Sequence, residues 1–130
     1  WPCRTDKIHT FTFVPDAARA TALLGNSPDA FNQVWHLPTS GELLTGKDWI
    51  ELSAKLAGTA ARYFVIKKWM MYGMGLFSTT MRETARMLYQ FDRDYVFDSS
   101  KFEAAFNMRA TSPKEAVRQT LEKHQDQSNK

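Results

Sequence analysis

Lys7-Ile8-His9-Thr10-Phe11-Thr12-Phe13-Val14, followed at once by Pro15-Asp16-Ala17-Ala18, is the stretch on which the fold turns. Ile8, Thr10, Thr12 and Val14 fall on one side and His9, Phe11 and Phe13 on the other. That is the two-residue period of a pleated strand, and Ile, Val, Thr and Phe all suit one. Pro15 cannot donate to a ladder and ends the strand. Asp16 then stands where an N-cap belongs, its carboxylate accepting from the free N–H groups of the next turn. A helix is expected over 17–24, closing at Gly25-Asn26. Strand followed directly by helix predicts an α/β chain.

Working outward, the turn Ser27-Pro28-Asp29 precedes a second expected strand over 32–37, closed by Pro38. Thr45-Gly46-Lys47-Asp48 opens a helix in a near capping-box arrangement. Trp49, Leu52 and Leu56 recur at helical spacing along it, and Gly58 ends it. Residues 62–66 read as a third short strand. The segment 68–91 reads as helix in two pieces, interrupted at Gly73 and Gly75, with Thr79 or Thr80 capping the second. Tyr95-Val96-Phe97 is extended, and Asp98 caps a brief helix that buries Phe102 and Phe106. Ser112-Pro113-Lys114-Glu115 is a helix start with cap, proline at the first position and acid at the third. That helix is expected to run to about His124, leaving 126–130 as a disordered tail. Three strands are few for an independent sheet, so some would need neighbours from outside this chain.

Composition narrows the function classes. The chain has 130 residues, 43% hydrophobic and 24% charged, as in an ordinary soluble domain. The net charge of +3 comes from bases interleaved with acids, and no basic run exceeds two residues. Nucleic-acid binders present a basic face with stacking aromatics, so no nucleic-acid partner is expected. The longest apolar run, 69–77, is too short to span a bilayer, and no membrane partner is expected either. Cys3 is alone, which rules out an internal disulfide and a cysteine metal cage and suits a cytoplasmic location. The chain opens Trp1-Pro2 without an initiating Met, which points to a piece of something longer.

Candidate chemistry is sparse. Tyr63 and Lys67 have the Tyr-x-x-x-Lys spacing of short-chain dehydrogenases, but that pair works only when a helix brings i and i+4 together. The intervening Phe64-Val65-Ile66 favours a strand, so the pair is read as coincidental. Gly73-Met74-Gly75 is not a phosphate-cradling loop, since it follows no strand. His9, His36 and His124 lack metal-ligand spacing. His36 reads as a core or edge histidine and His124 as a favourable charge near a helix C-terminus. Trp69-Met70-Met71-Tyr72-Gly73-Met74 is either packing or a surface for a partner.

Four segments in order carry a resemblance. Phe11 to Ala18 is similar to the aromatic–x–x–Val–Asp–Asp–Leu/Ala–Ala segment of extended short-chain dehydrogenases/reductases, the NAD-dependent epimerase/dehydratase family. Asn32 to Leu37 resembles that family's Tyr-Asn-x-Gly strand, and Leu44 to Ile50 its Thr-x-x-Glu helix start. Asp98-Ser99-Ser100-Lys101-Phe102, then Phe106 and Thr111 to Val117, resembles its closing Asp-x-Ser-Lys signature. Pro15, His36 and Phe106-Asn107 depart from the pattern.

The resemblance implies an α/β fold: the C-terminal portion of a Rossmann-like enzyme, mostly helices with about three short strands. Residues 1–125 would form the substrate-binding lobe and last sheet elements. Cofactor, NAD or NADP, and the catalytic residues would belong to a missing N-terminal Rossmann part, so neither catalytic nor cofactor-binding residues are expected here, and no metal. The substrate would be a small molecule such as a nucleotide sugar, and a homodimer is conceivable. Two positions carry over as substrate-binding residues: His9, at the place of a phosphate-contacting arginine, and Tyr95, at a nucleotide-pocket position. The competing reading is a small helical interaction module that uses the Met/Trp-rich surface.

Overall fold

The computed structural model describes residues 1–76 and 78–128. Its elements are α1 (Val14–Gly25), a 3-10 turn (Pro28–Ala30), α2 (Gly46–Leu56), α3 (Lys68–Gly75) and α4 (Thr79–Arg86). A second 3-10 turn (Met87–Phe91), α5 (Ser100–Phe106) and α6 (Pro113–Ser128) follow. Among the described residues there is no strand, only three isolated bridges: Pro2 with Ile66, Ile8 with Thr45, and His9 with Tyr95. The expected α/β, Rossmann-like architecture with about three strands is therefore wrong for this chain, which is helical.

Each missing strand has a local cause. In the opening stretch the helix begins at Val14, inside the expected strand, with Pro15 in its first turn where a missing N–H costs nothing. Only Ile8 and His9 find bridge partners. In 32–37, Asn32 adopts a left-handed conformation with φ 59°. Trp35 then turns its indole N–H back onto the Ala30 carbonyl at 2.9 Å, and the Val34 carbonyl accepts from Lys101 Nζ at 3.0 Å instead of from a neighbouring strand. In 62–66 only Ile66 takes part in a bridge: its N–H donates to Trp1 O and its carbonyl accepts from Cys3 N–H, both at 2.9 Å. Alternating side chains suited these segments to a sheet, but a sheet also requires a partner backbone.

The chain divides into two compact units. Unit 1 comprises Trp1–His9 and Leu44–Tyr95. In it α3 packs on α4 around Met71, Ala85 and Leu88, with Cys3 and Ile66 against them. Gly75 permits this approach, since a Cβ there would lie 3.1 Å from the Arg82 Cα. α2 starts with a full capping box: Thr45 Oγ1 accepts from Asp48 N–H, and the Asp48 carboxylate accepts from Thr45 N–H at 2.8 Å. α3 runs through Gly73 to Gly75 before the break, and Ser78, not Thr79 or Thr80, caps α4.

Unit 2 comprises Thr10–Leu43 and the chain from Val96 onward. Phe102, fully buried, stacks on Phe106 at 4.8 Å, and Trp35 meets both edge-on. Lys101 lies over the Trp35 ring, 4.1 Å from its centroid. Ser99 is the N-cap residue of α5, and Asp98 supports that turn by accepting from Ser100 N–H at 2.9 Å. α6 continues to Ser128, so 126–128 are helical rather than a disordered tail, while Asn129 and Lys130 lie outside the described residues.

Asp16 is corrected as well. Because α1 begins three residues earlier than expected, Asp16 sits in its first turn and is not the N-cap; that residue is Phe13. The fully buried Asp16 carboxylate accepts instead from the Thr111 N–H at 2.7 Å and the Thr111 hydroxyl at 3.0 Å, and pairs with Arg19. A long-range tie replaces the expected local cap.

Candidate functional site

The segment Lys7–His9 is held from several sides within unit 1. Gly46 N–H donates to the Lys7 carbonyl and His9 N–H to the Leu44 carbonyl. Ile8 N–H donates to the Asp94 carboxylate at 3.0 Å, and Tyr95 N–H to the Ile8 carbonyl at 2.8 Å. These bonds set His9 beside Tyr95 in a parallel bridge. The two positions singled out as substrate-binding, far apart in sequence, are thus backbone neighbours.

Their side chains differ. His9 is only 4% exposed, its ring packed against Phe91 at 5.3 Å and edge-on to Trp1 at 5.8 Å. Burial pushes its pKa below the usual histidine value, and the Asp94 carboxylate opposes that only in part. An enclosed imidazole whose pKa is lowered makes a poor substitute for an arginine on a phosphate. Tyr95 is 37% exposed.

Trp1 and Trp49, which nothing in their spacing marks as functional, complete this region. Trp49 Nε1 donates to the His9 carbonyl at 3.0 Å, and Trp1 Nε1 to the Arg4 carbonyl at 2.9 Å. The Trp1 indole fills the space beside Gly46, where a Cβ would lie 2.5 Å from its ring. A groove of about 330 Å³ is lined by Trp1, Trp49, Ile50, Ser53, Ala54 and Arg62, among others. Aromatic walls with a guanidinium at the edge suit a planar or anionic small molecule.

The remaining candidates do not assemble into chemistry. Tyr63 lies outside any helix and Lys67 is the extended N-cap residue of α3, so the helical i,i+4 geometry that pair requires is not formed. Gly73 and Gly75 have helical backbone at the end of α3 and form no phosphate cradle, so these residues do not fit a dinucleotide. His36 is exposed rather than in a core, its Nδ1 2.9 Å from the Asp98 carbonyl oxygen and its ring edge-on to Phe97. His124 lies on α6, a turn before its end. Among the described residues no three His, Cys, Asp or Glu side chains are grouped to hold a metal ion. No family model and no curated protein sequence matches this chain.

Proposed function

We propose that this chain is the substrate-side part of an NAD(P)-dependent epimerase/dehydratase-like oxidoreductase, with cofactor binding and catalysis carried by another part of the protein. The observation that carries the reading is the pairing of His9 with Tyr95. Both were singled out from a resemblance distributed over four segments, and the chain brings them together across the intervening α2, α3 and α4. Tyr95 is the contact residue. Its phenol can donate to and accept from a hydroxyl or phosphoryl oxygen of a small ligand such as a nucleotide sugar. His9 positions Tyr95 through the shared backbone bridge and acts as a packed ring.

Two measurements test this. An isotope-labelled chain titrated with a uridine diphosphate sugar should show amide shifts at Tyr95 and its neighbours that Tyr95→Phe weakens, while NAD and NADP leave the spectrum unchanged. Micromolar binding of either dinucleotide would overturn the assignment. Independently, the coding sequence upstream of Trp1 should contain a Gly-rich strand-to-helix turn followed by Tyr-x-x-x-Lys; a start codon directly before Trp1 would refute the proposal.

A second reading, an interaction module, is favoured by one observation: Trp69 and Tyr72 on α3 and its C-cap residue Leu76 form an exposed face.

A further inference from the structure

α3 has two apolar faces. Met71 and Gly75 point into unit 1 against α4, and both are buried. Trp69, Tyr72 and Leu76, at i, i+3 and i+7, share another face. They are 71%, 57% and 83% exposed. Exposed Met74, Met81 and Met87 add further apolar surface on the same unit, with Phe64 just before the helix. Single exposed apolar residues need no explanation, but a concentration of this kind marks a contact surface.

The charges in the sequence around it are one-sided. Residues 61–91 hold five bases (Arg62, Lys67, Lys68, Arg82 and Arg86) and one acid, Glu83. Lys68 pairs with Asp92 and Arg86 with Glu83. Among the described residues Arg62, Lys67 and Arg82 make no ion pair, and all three are exposed. The formal charge is concentrated accordingly: counted over their full spans, unit 1 has ten bases and six acids, +4, and unit 2 seven bases and eight acids, −1.

Resting on the interaction reading of this face, we propose that it docks on an anionic lipid surface. Indole and phenol side chains settle at the headgroup level, where one end stays wet, while leucine and methionine enter the acyl boundary. Unit 1 carries the surplus of bases, and its exposed Arg62, Lys67 and Arg82 meet the negative surface potential of acidic lipids. Leu76, the most exposed of the three, gives a nucleic acid nothing to stack on, which separates this face from a base-stacking platform. Among the described residues no helix is long and apolar enough to cross a membrane, so the contact is peripheral.

The test is co-sedimentation of the full chain with vesicles of phosphatidylcholine alone or mixed with phosphatidylserine. Binding is expected only to the mixed vesicles, weakening as salt rises and charges are screened. Lys67→Gln and Arg62→Gln should each weaken it about fivefold, the equivalent of one surface charge. Trp69→Ser should weaken it by about tenfold through lost apolar contact. These side chains are exposed, and unchanged far-UV circular dichroism confirms that each variant is folded. Absence of binding to the mixed vesicles, or equal binding to neutral ones, would overturn the proposal. Tighter binding to single-stranded DNA than to vesicles would also overturn it. Self-association without lipid, abolished by Trp69→Ser, would instead assign the face to a second copy; the interaction reading would survive and the lipid proposal would not.

Discussion

Replacing Asp16 by serine separates two roles that a carboxylate near a helix start can play. If Asp16 acted as an N-cap, serine would serve as well, since Ser and Asp cap with similar strength. The structure assigns it a different task. Its buried carboxylate receives the Thr111 N–H at 2.7 Å and the Thr111 hydroxyl at 3.0 Å, joining α1 to the residues before α6. A serine hydroxyl is too short to keep both bonds. Hydrogen bonds to a charged group contribute about 1.5–3 kcal/mol each, and they are not additive here because both end on one group. Asp16→Ser and Asp16→Ala should each cost about 3 kcal/mol. The Arg19 pair adds little, because the guanidinium is exposed. Thr111→Val removes only the hydroxyl bond and should cost about 1 kcal/mol. That cost should largely vanish when Asp16 is already alanine, giving a coupling of about 1 kcal/mol in a double-mutant cycle. The assay is urea unfolding followed by circular dichroism at a helical wavelength. With a slope of about 2 kcal/mol per molar, the Asp16 variants should lose about 1.5 M in midpoint. An Asp16→Ser midpoint within about 0.25 M of the parent would refute the long-range tie and restore the capping role.

Two further predictions concern unit 1. His9 is buried and its pKa lies below the ordinary 6.5, so the unfolded chain binds the proton more readily than the folded one. Folding stability should therefore fall as pH drops from that ordinary value toward the folded one, and level off below; thermal melts should show a weaker dependence over this window in His9→Gln, and an unchanged slope would remove the burial argument. Gly73 has open space where a Cβ would be added, whereas at Gly75 it meets the Arg82 backbone. Gly73→Ala should gain up to about 1 kcal/mol from helix propensity, while Gly75→Ala should be neutral or lose about 1 kcal/mol by forcing α3 from α4; equal effects in denaturant melts would contradict that packing.

What could be read from the sequence was decided over three or four residues. The Thr45–Asp48 box, the Ser112-Pro113-Glu115 start and the stop at Gly25-Asn26 are interactions between near neighbours, visible in residue types and spacing alone. There Asn26 and Ser27 side chains donate to the Ala22 and Leu23 carbonyls at 2.8 and 2.7 Å, as a helix end demands. The placement of Phe102 on the buried side of α5 was legible for the same reason, from helical periodicity.

The opening stretch lies beyond that range. Its alternation of Ile8, Thr10, Thr12 and Val14 against His9, Phe11 and Phe13 states which side chains share a face, but says nothing of whether another backbone comes alongside. A helix satisfies its own N–H and C=O groups, whereas a strand depends on a neighbour that may lie anywhere in the chain, and here only Ile8 and His9 acquire one. The same distance dependence hid the partner of Asp16 and the burial of His9. Sequence determined where this chain coils and which residues its helices can bury. Tertiary structure alone decided which extended segments found partners, and which apolar side chains were left facing solvent.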